Sequence, residues 1–171
     1  MSESFDLEKN IRIAVLTVSD TRTPETDTGG ALMKTLAEAA GIEVAGYRIV
    51  KDDQAEIKRA VAEWLEEKDL DAIVSTGGTG IAKRDVSIEA IEPLFEKEIP
   101  GFGELFRFLS FREDIGTRAL LSRASAGVAS DKAIFVLPGS RGAVKLAMER
   151  LVLPELAHIT FELNKHRQAR S

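Results

Sequence analysis

Eight consecutive residues near the start of the chain, Ile11-Arg12-Ile13-Ala14-Val15-Leu16-Thr17-Val18, form a nearly unbroken β-branched and aliphatic run. A strand with one wet face alternates apolar and polar side chains, whereas a strand covered on both faces does not. This run therefore predicts a strand at the centre of a parallel sheet, with helices packed on each side. The 171 residues, 44% of them hydrophobic, suit one domain of that kind, since domains cluster at roughly 100–150 residues.

Strand and helix signals alternate through the rest of the chain. Gly29–Ala40 puts Leu32, Leu36 and Ala39 or Ala40 on one helical face, and Gly41 closes that helix as its C′ residue. Val44–Val50 reads as a second strand. Gln54–Glu67 reads as an amphipathic helix, with Ile57, Val61, Trp64 and Leu65 at i, i+4, i+7 and i+8. Ala72–Ser75 is a third short strand, and Val86–Phe95 has helical spacing with Pro93 near its end. Phe102, Leu105, Phe106 and Leu109 recur every three to four residues in a segment, 102–111, that holds four of the eight phenylalanines. Thr117–Leu121 is a candidate short helix, Ser125–Val128 a candidate edge strand and Ala133–Leu137 a buried strand. The last helix is expected from about Arg141 through Leu153, with Pro154 kinking it or starting another. There is no Pro/Ser-rich linker and no internal repeat. The expectation is a three-layer α/β/α domain over 11–163 with a mainly parallel, doubly wound sheet, an N-terminal extension at 1–10 and a polar tail at 164–171.

Composition narrows the function. With 23 Lys+Arg against 28 Asp+Glu, a net charge of −5, the surface lacks the basic excess that neutralises a nucleic-acid backbone, so no nucleic-acid partner is expected. The absence of cysteine excludes disulfides, thiolate nucleophiles, Cys-based zinc sites and iron–sulfur clusters, and leaves oxygen ligands as the natural metal chemistry. Residues 1–10 have no apolar signal core, and no apolar stretch approaches the ~20 residues that span a bilayer. A cytoplasmic protein without a membrane partner is the expectation.

In doubly wound sheets ligands bind beyond the carboxyl ends of the strands. Three strands here end in unusual loops: Ser19-Asp20-Thr21-Arg22, Thr76-Gly77-Gly78-Thr79-Gly80 and Pro138-Gly139-Ser140. The middle loop has three glycines in five residues. Its backbone can take positive φ and bring N–H groups to an anion, with threonine hydroxyls as further donors. It matches neither the Walker nor the dinucleotide-binding pattern, and a tight glycine turn is the plain alternative. Ser140 suits either a helix cap or an anion contact. Asp85 lies five residues beyond Gly80, and Asp52-Asp53 closes the second strand. Two such carboxylates suit Mg²⁺, which takes one or two of them plus phosphate oxygens and water, although each alone is an ordinary helix cap. Asp20 and Asp27 flank a loop that either closes over the crevice or stays solvated, and Lys83 and Arg84 stand between the glycine loop and Asp85. His158 and His166, far along the chain from every loop, are assigned no catalytic role.

Five ordered segments together resemble a known family. Val18-Ser19-Asp20-Thr21-Arg22, Thr76–Gly80 with Arg84-Asp85, Pro100-Gly101-Phe102-Gly103-Glu104, Leu121-Ser122-Arg123 and Leu137-Pro138-Gly139-Ser140 are similar to motifs of the MoaB/MogA family of molybdenum cofactor biosynthesis. The resemblance runs from about Ile11 to Leu163. The run Phe106–Phe111 with Ile115-Gly116-Thr117 looks more like the MoaB branch. What the resemblance implies is a molybdopterin-binding fold that carries adenylyl transfer from Mg·ATP to the terminal phosphate of molybdopterin, giving adenylylated molybdopterin and pyrophosphate. It places the functional, Mg²⁺-holding aspartates at Asp52, with Asp53 as fallback, and Asp85. It places the nucleotide and pterin crevice at Ser19, Asp20, Thr76, Gly77, Gly78, Thr79, Gly80, Ser122, Pro138, Gly139 and Ser140. It also implies a homo-oligomer, a trimer or a hexamer of paired trimers. The alternative is a protein that binds molybdopterin for delivery without turnover.

Overall fold

A computed structural model describes residues 10–168. The aliphatic run forms β1 (Arg12–Val18), followed by α1 (Thr28–Ala39), β2 (Glu43–Val50), α2 (Gln54–Leu65), β3 (Ala72–Thr76) and α3 (Ser87–Ile91). Then come β4 (Lys97–Glu98), α4 (Pro100–Glu113), β5 (Ser125–Ala129), β6 (Lys132–Leu137), α5 (Arg141–Ala147) and α6 (Leu153–Gln168). The sheet order is β2-β1-β3-β6-β5-β4. The first four strands of this order are mutually parallel; β5 runs antiparallel to β6, and β4, antiparallel to β5, runs in the direction of the first four.

β1 is central and covered on both faces, as its sequence requires. Ile13 and Val15 face one core, with Met33 and Ala37 of α1, Phe102 and Phe106 of α4, Val144 of α5 and Leu156 of α6. Ala14, Leu16 and Val18 face the other, with Ile57, Val61 and Trp64 of α2 and Ile88 and Ile91 of α3. Each fully buried Leu, Ile or Phe contributes about 1.5–3 kcal/mol, so the two cores hold the helical layers to the sheet. The chain leaves β1 for a helix on one face and β3 for a helix on the other. The adjacent carboxyl ends of β1 and β3 are thus the reversal point of the sheet, where a crevice opens.

Several expectations are corrected in detail. Ser125–Val128 belongs to β5, which is not the edge: two exposed residues, Lys97 and Glu98, pair outside it. A two-residue charged edge strand leaves no hydrophobic period to read, and it blunts the sheet against further pairing. The helix expected over 86–95 is a five-residue helix followed by a 3₁₀ turn, Glu92–Leu94, that contains Pro93. The candidate helix 117–121 is likewise a 3₁₀ turn, Gly116–Leu121. Of the two expectations for Pro154, a kink or a new helix, the second holds: Pro154 is the second residue of α6. A widened π turn, Met148–Val152, precedes it, and the Leu153 N–H donates to the Met148 carbonyl five residues back. Proline brings no N–H and its ring crowds the carbonyl four residues earlier, which a widened turn accommodates. α6 then runs through Gln168, so residues 164–168 of the expected polar tail are helical. Residues 1–9 and 169–171 of the expected extension and tail lie outside the described residues. Among the described residues no helix is long and apolar enough to cross a membrane.

Candidate functional site

The glycine loop begins where β3 ends. Gly77 and Gly78 have φ of 97° and 69°, in the left-handed region that glycine occupies without cost. A Cβ on Gly77 would stand 2.4 Å from the Val18 carbonyl oxygen, so only glycine lets β3 turn this closely over the end of β1. The turn is fixed by the Gly77 N–H to the Leu137 carbonyl (3.0 Å), the Ser87 N–H to the Gly78 carbonyl (3.0 Å) and the Ser87 hydroxyl to the Gly77 carbonyl (2.7 Å). Thr76, expected to offer a hydroxyl to a ligand, instead donates it to the Pro138 carbonyl at 2.9 Å and ties two loops together. Among the described residues the N–H groups of Gly78, Thr79 and Gly80 donate to no protein acceptor. Three successive unengaged amides beside a reversal point are the concave donor set that binds anions.

Arg123 holds the far side of this loop. Its Nε donates to the carbonyls of Thr79 (3.2 Å) and Gly80 (3.1 Å), and Nη2 donates to those of Gly80 (2.7 Å) and Asp85 (3.3 Å). Nη1 pairs with both carboxylate oxygens of Glu89 at 2.8 and 2.9 Å. The guanidinium thus engages the loop carbonyls, while the amides of Gly78, Thr79 and Gly80, residues that line the cleft, stay without a protein acceptor among the described residues.

The two adjacent aspartates take different places. Asp53 caps α2, accepting from the Glu56 N–H at 2.9 Å. The Asp52 carboxylate reaches the glycine loop, with Oδ1 3.4 Å from where a Cβ on Gly78 would sit. Its backbone N–H donates to the Asp20 carboxylate at 3.0 Å. Asp85 is not a cap: α3 has Val86 at its N-cap with no side-chain bond, and the Asp85 carboxylate accepts from the Ala82 N–H at 3.0 Å, against Gly80. Burial holds the Asp52 carboxyl above its ordinary range. The Asp20 and Asp85 charges push the same way, and Arg84 partly offsets them. Among the described residues no cluster of three or more His, Cys, Asp or Glu could hold a metal by itself. A hard divalent ion carried on a polyphosphate needs only one or two carboxylates, and a cation beside Asp52 would relieve the repulsion that raises its pKa. The donor set therefore fits Mg²⁺ arriving with a phosphate ligand.

A cleft of about 390 Å³ brings together Gly78, Thr79, Gly80, Asp85, Ser122, Pro138, Gly139 and Ser140. Ser140 also caps α5, its Oγ accepting from the Ala143 N–H at 3.1 Å. Ser19 and Asp20 line a neighbouring hollow of about 550 Å³ beside Tyr47–Lys51, and the Ser19 hydroxyl accepts from the N–H groups of Thr21 and Arg22 in its own loop. The 19–27 loop is tied down at its end. Buried Asp27 caps α1 through the Gly30 N–H (2.9 Å) and accepts from the hydroxyls of Thr17 (2.7 Å) and Tyr47. Burial, with the Asp27 carboxylate next in effect, pushes the Tyr47 phenol well above its usual value. His166 contacts Asp131 and His158 lies between Glu155 and Glu162, all remote from the cleft lining.

Sequence reasoning missed the opposite wall of the cleft, built by Phe106, Ser110, Asp114, Ile115, Arg118 and Leu121. No helical period joins Ser110 on α4, Asp114 at its C-cap and Arg118 in the 3₁₀ turn that follows, so the sequence carried no spacing signal for them.

Fold and site together define a doubly wound α/β domain with a small-ligand crevice at its switch point. Residues 14–158 match the family model described as "Probable molybdopterin binding domain". Molybdenum cofactor biosynthesis protein B of Staphylococcus carnosus (strain TM300) is 59% identical over 161 residues, 93% of this chain and 94% of that protein. A crystal structure of a molybdenum cofactor biosynthesis protein B aligns with a TM-score of 0.90 at 53% identity, covering 95% of this chain and 100% of that one. The tungsten cofactor synthesizing protein MoaB from Pyrococcus furiosus aligns with a TM-score of 0.80 at 36% identity, over 96% and 100% of the two chains. The chain belongs to the MoaB/MogA family of molybdenum cofactor biosynthesis proteins, on its MoaB side, and residues 14–158 carry the domain that the family model describes.

Proposed function

We propose that this protein transfers an adenylyl group from Mg·ATP to the terminal phosphate of molybdopterin. The observation that carries the reading is the gathering of Asp20, Asp52 and Asp85 with Arg84 at the mouth of a loop whose three amides have no protein acceptor. Carboxylates beside an anion-binding loop repel its ligand unless a cation lies between them, and a metal–polyphosphate supplies that cation.

A phosphate oxygen of molybdopterin attacks the α-phosphorus of ATP. The bond from that phosphorus to the oxygen bridging to the β-phosphorus breaks, and pyrophosphate leaves. The nucleophile is already an anion, so no strong general base is required, and catalysis reduces to alignment and charge stabilisation. Asp52 and Asp85 would hold Mg²⁺, which supplies charge neutralisation on the phosphates. The amides of Gly78, Thr79 and Gly80 grip phosphate oxygens, and Arg123 keeps those amides aimed inward. Arg84 adds positive charge beside Asp52. The working form in this reading is a cytoplasmic homo-oligomer, a trimer or hexamer, in which the exposed Leu105, Phe108 and Phe111 of α4 are covered by a second copy.

The test is Asp85→Asn. Wild-type protein with Mg·ATP and molybdopterin yields pyrophosphate, and the variant, with an unchanged circular dichroism spectrum, loses roughly 100-fold or more of that rate. Undiminished turnover would remove Asp85 from the mechanism.

A further inference from the structure

The wall facing the glycine loop has a composition of its own. Phe106, Ile115, Leu121 and Ala143 make it apolar, and Ser110, Asp114 and Arg118 stand among them. Ser110 is 2% exposed, and its hydroxyl makes no hydrogen bond among the described residues. Among those residues Asp114 and Arg118 likewise have no side-chain hydrogen bond or ion pair, whereas Asp27, Asp53, Glu89 and Glu113 are all engaged. The Asp114 carboxylate lies over Gly142, where a Cβ would come within 3.2 Å of Oδ2, so the glycine leaves the carboxylate its place at the cleft. The hydroxyl of an otherwise buried serine, with an exposed carboxylate and an exposed cation that have no side-chain partner among the described residues, set among apolar side chains of the cleft lining, makes the pattern of a pocket that reads the edge of a flat ring.

We propose that Asp114 is the residue that selects a pterin, an inference that rests on the molybdopterin reading above. The pyrimidine edge of a pterin offers two adjacent donors, the ring N3–H and the 2-amino group. A carboxylate accepts both at once, in the way it accepts the two parallel donors of a guanidinium. Arg118 offers donors to the neighbouring 4-oxo group, and the apolar side chains take the ring faces. Adenine presents no such pair of donors on its pairing edge. The Asp114 wall therefore takes the pterin and leaves the nucleotide to the carboxylate side of the glycine loop. Asp114 is a specificity residue; the reacting phosphate lies at the other wall.

The experiment measures binding of molybdopterin, under anoxic conditions and without ATP, to the full chain and to Asp114→Asn. The exposed position keeps the variant folded, which its melting temperature checks. The variant is expected to bind roughly tenfold or more weakly, the loss of a charged hydrogen-bond pair. A second measurement needs no variant. 6-Hydroxymethylpterin phosphate is expected to displace molybdopterin at least about fivefold better than the lumazine phosphate of the same shape, whose 2-oxo group replaces the 2-amino donor. Asp114→Asn should lose that preference. Equal binding by the variant, or equal or no displacement by the two competitors, overturns the proposal. Product formation is not read, so a failure of adenylyl transfer would leave these ratios intact, and ratios near one would leave adenylyl transfer standing.

Discussion

Gly77 and Asp52 show how much of the site rests on single atoms. A methyl group on Gly77 would collide with the Val18 carbonyl at 2.4 Å in a backbone conformation that L-residues rarely adopt. Gly77→Ala is therefore expected to cost roughly 2 kcal/mol or more of stability, read by denaturant unfolding, and to weaken molybdopterin binding by opening the loop. Asp52 acts in the opposite sense. A carboxyl whose folded-state pKa lies above its unfolded value stabilises the fold only while protonated, and that contribution is lost as the pH rises through the folded-state value. At neutral pH the charged Asp52 works against the fold. Asp52→Asn should melt at a higher temperature than wild type at about pH 7, with the gain vanishing near pH 3, below the ordinary Asp pKa of about 3.9. An unchanged or lower melting point at neutral pH would contradict this. At this scale the glycine triplet and the carboxylates were legible, because their residue types are costly anywhere else. Which of Asp52 and Asp53 turns inward was not, since both suit a cap and only the strand's exit direction separates them. Asp114 and Arg118 were hidden for another reason: one is the C-cap of the phenylalanine-rich helix and the other lies in the 3₁₀ turn after it, so neither belongs to a face whose period can be read.

Elements hold these residues in register. The 3₁₀ turn Gly116–Leu121 delivers Arg123 to the back of the glycine loop, where one guanidinium joins residues 79–80, Asp85 and α3. Arg123→Ala leaves those carbonyls without their donor. It is expected to cost about 1–3 kcal/mol and to raise amide exchange selectively at Ala82, Asp85 and Ser87, whose N–H groups are bonded within this loop, read by hydrogen–deuterium exchange. Arg123→Lys recovers little, because an ammonium lacks the fork that spans several acceptors. Exchange unchanged at those three amides would show that the loop holds itself. Strong periodicity made β1, α2 and β6 readable. The two-residue β4 and the π turn before Pro154 were not, because one is too short to carry a period and the other keeps the helical pattern while changing the turn.

The whole molecule explains why an acidic protein can bind phosphates. A net charge of −5 gives no broad attraction for polyanions. The strand order instead places the carboxyl ends of β1, β3 and β6 side by side, so the glycine loop, Asp85 and Ser140 line one cleft and the Asp52 carboxylate lies against Gly78 of the same loop. That order follows from an uninterrupted aliphatic strand and the alternation around it, which is why the fold class was readable from the chain alone. The account depends most on what this crevice does with ATP. The direct measurement supplies ATP labelled at the α-phosphorus to the wild-type protein with Mg²⁺ and molybdopterin, and follows label and pyrophosphate together. Label on molybdopterin and pyrophosphate released one for one is the expected result. Saturable molybdopterin binding with no labelled product at any Mg²⁺ concentration would contradict it and make the protein a carrier.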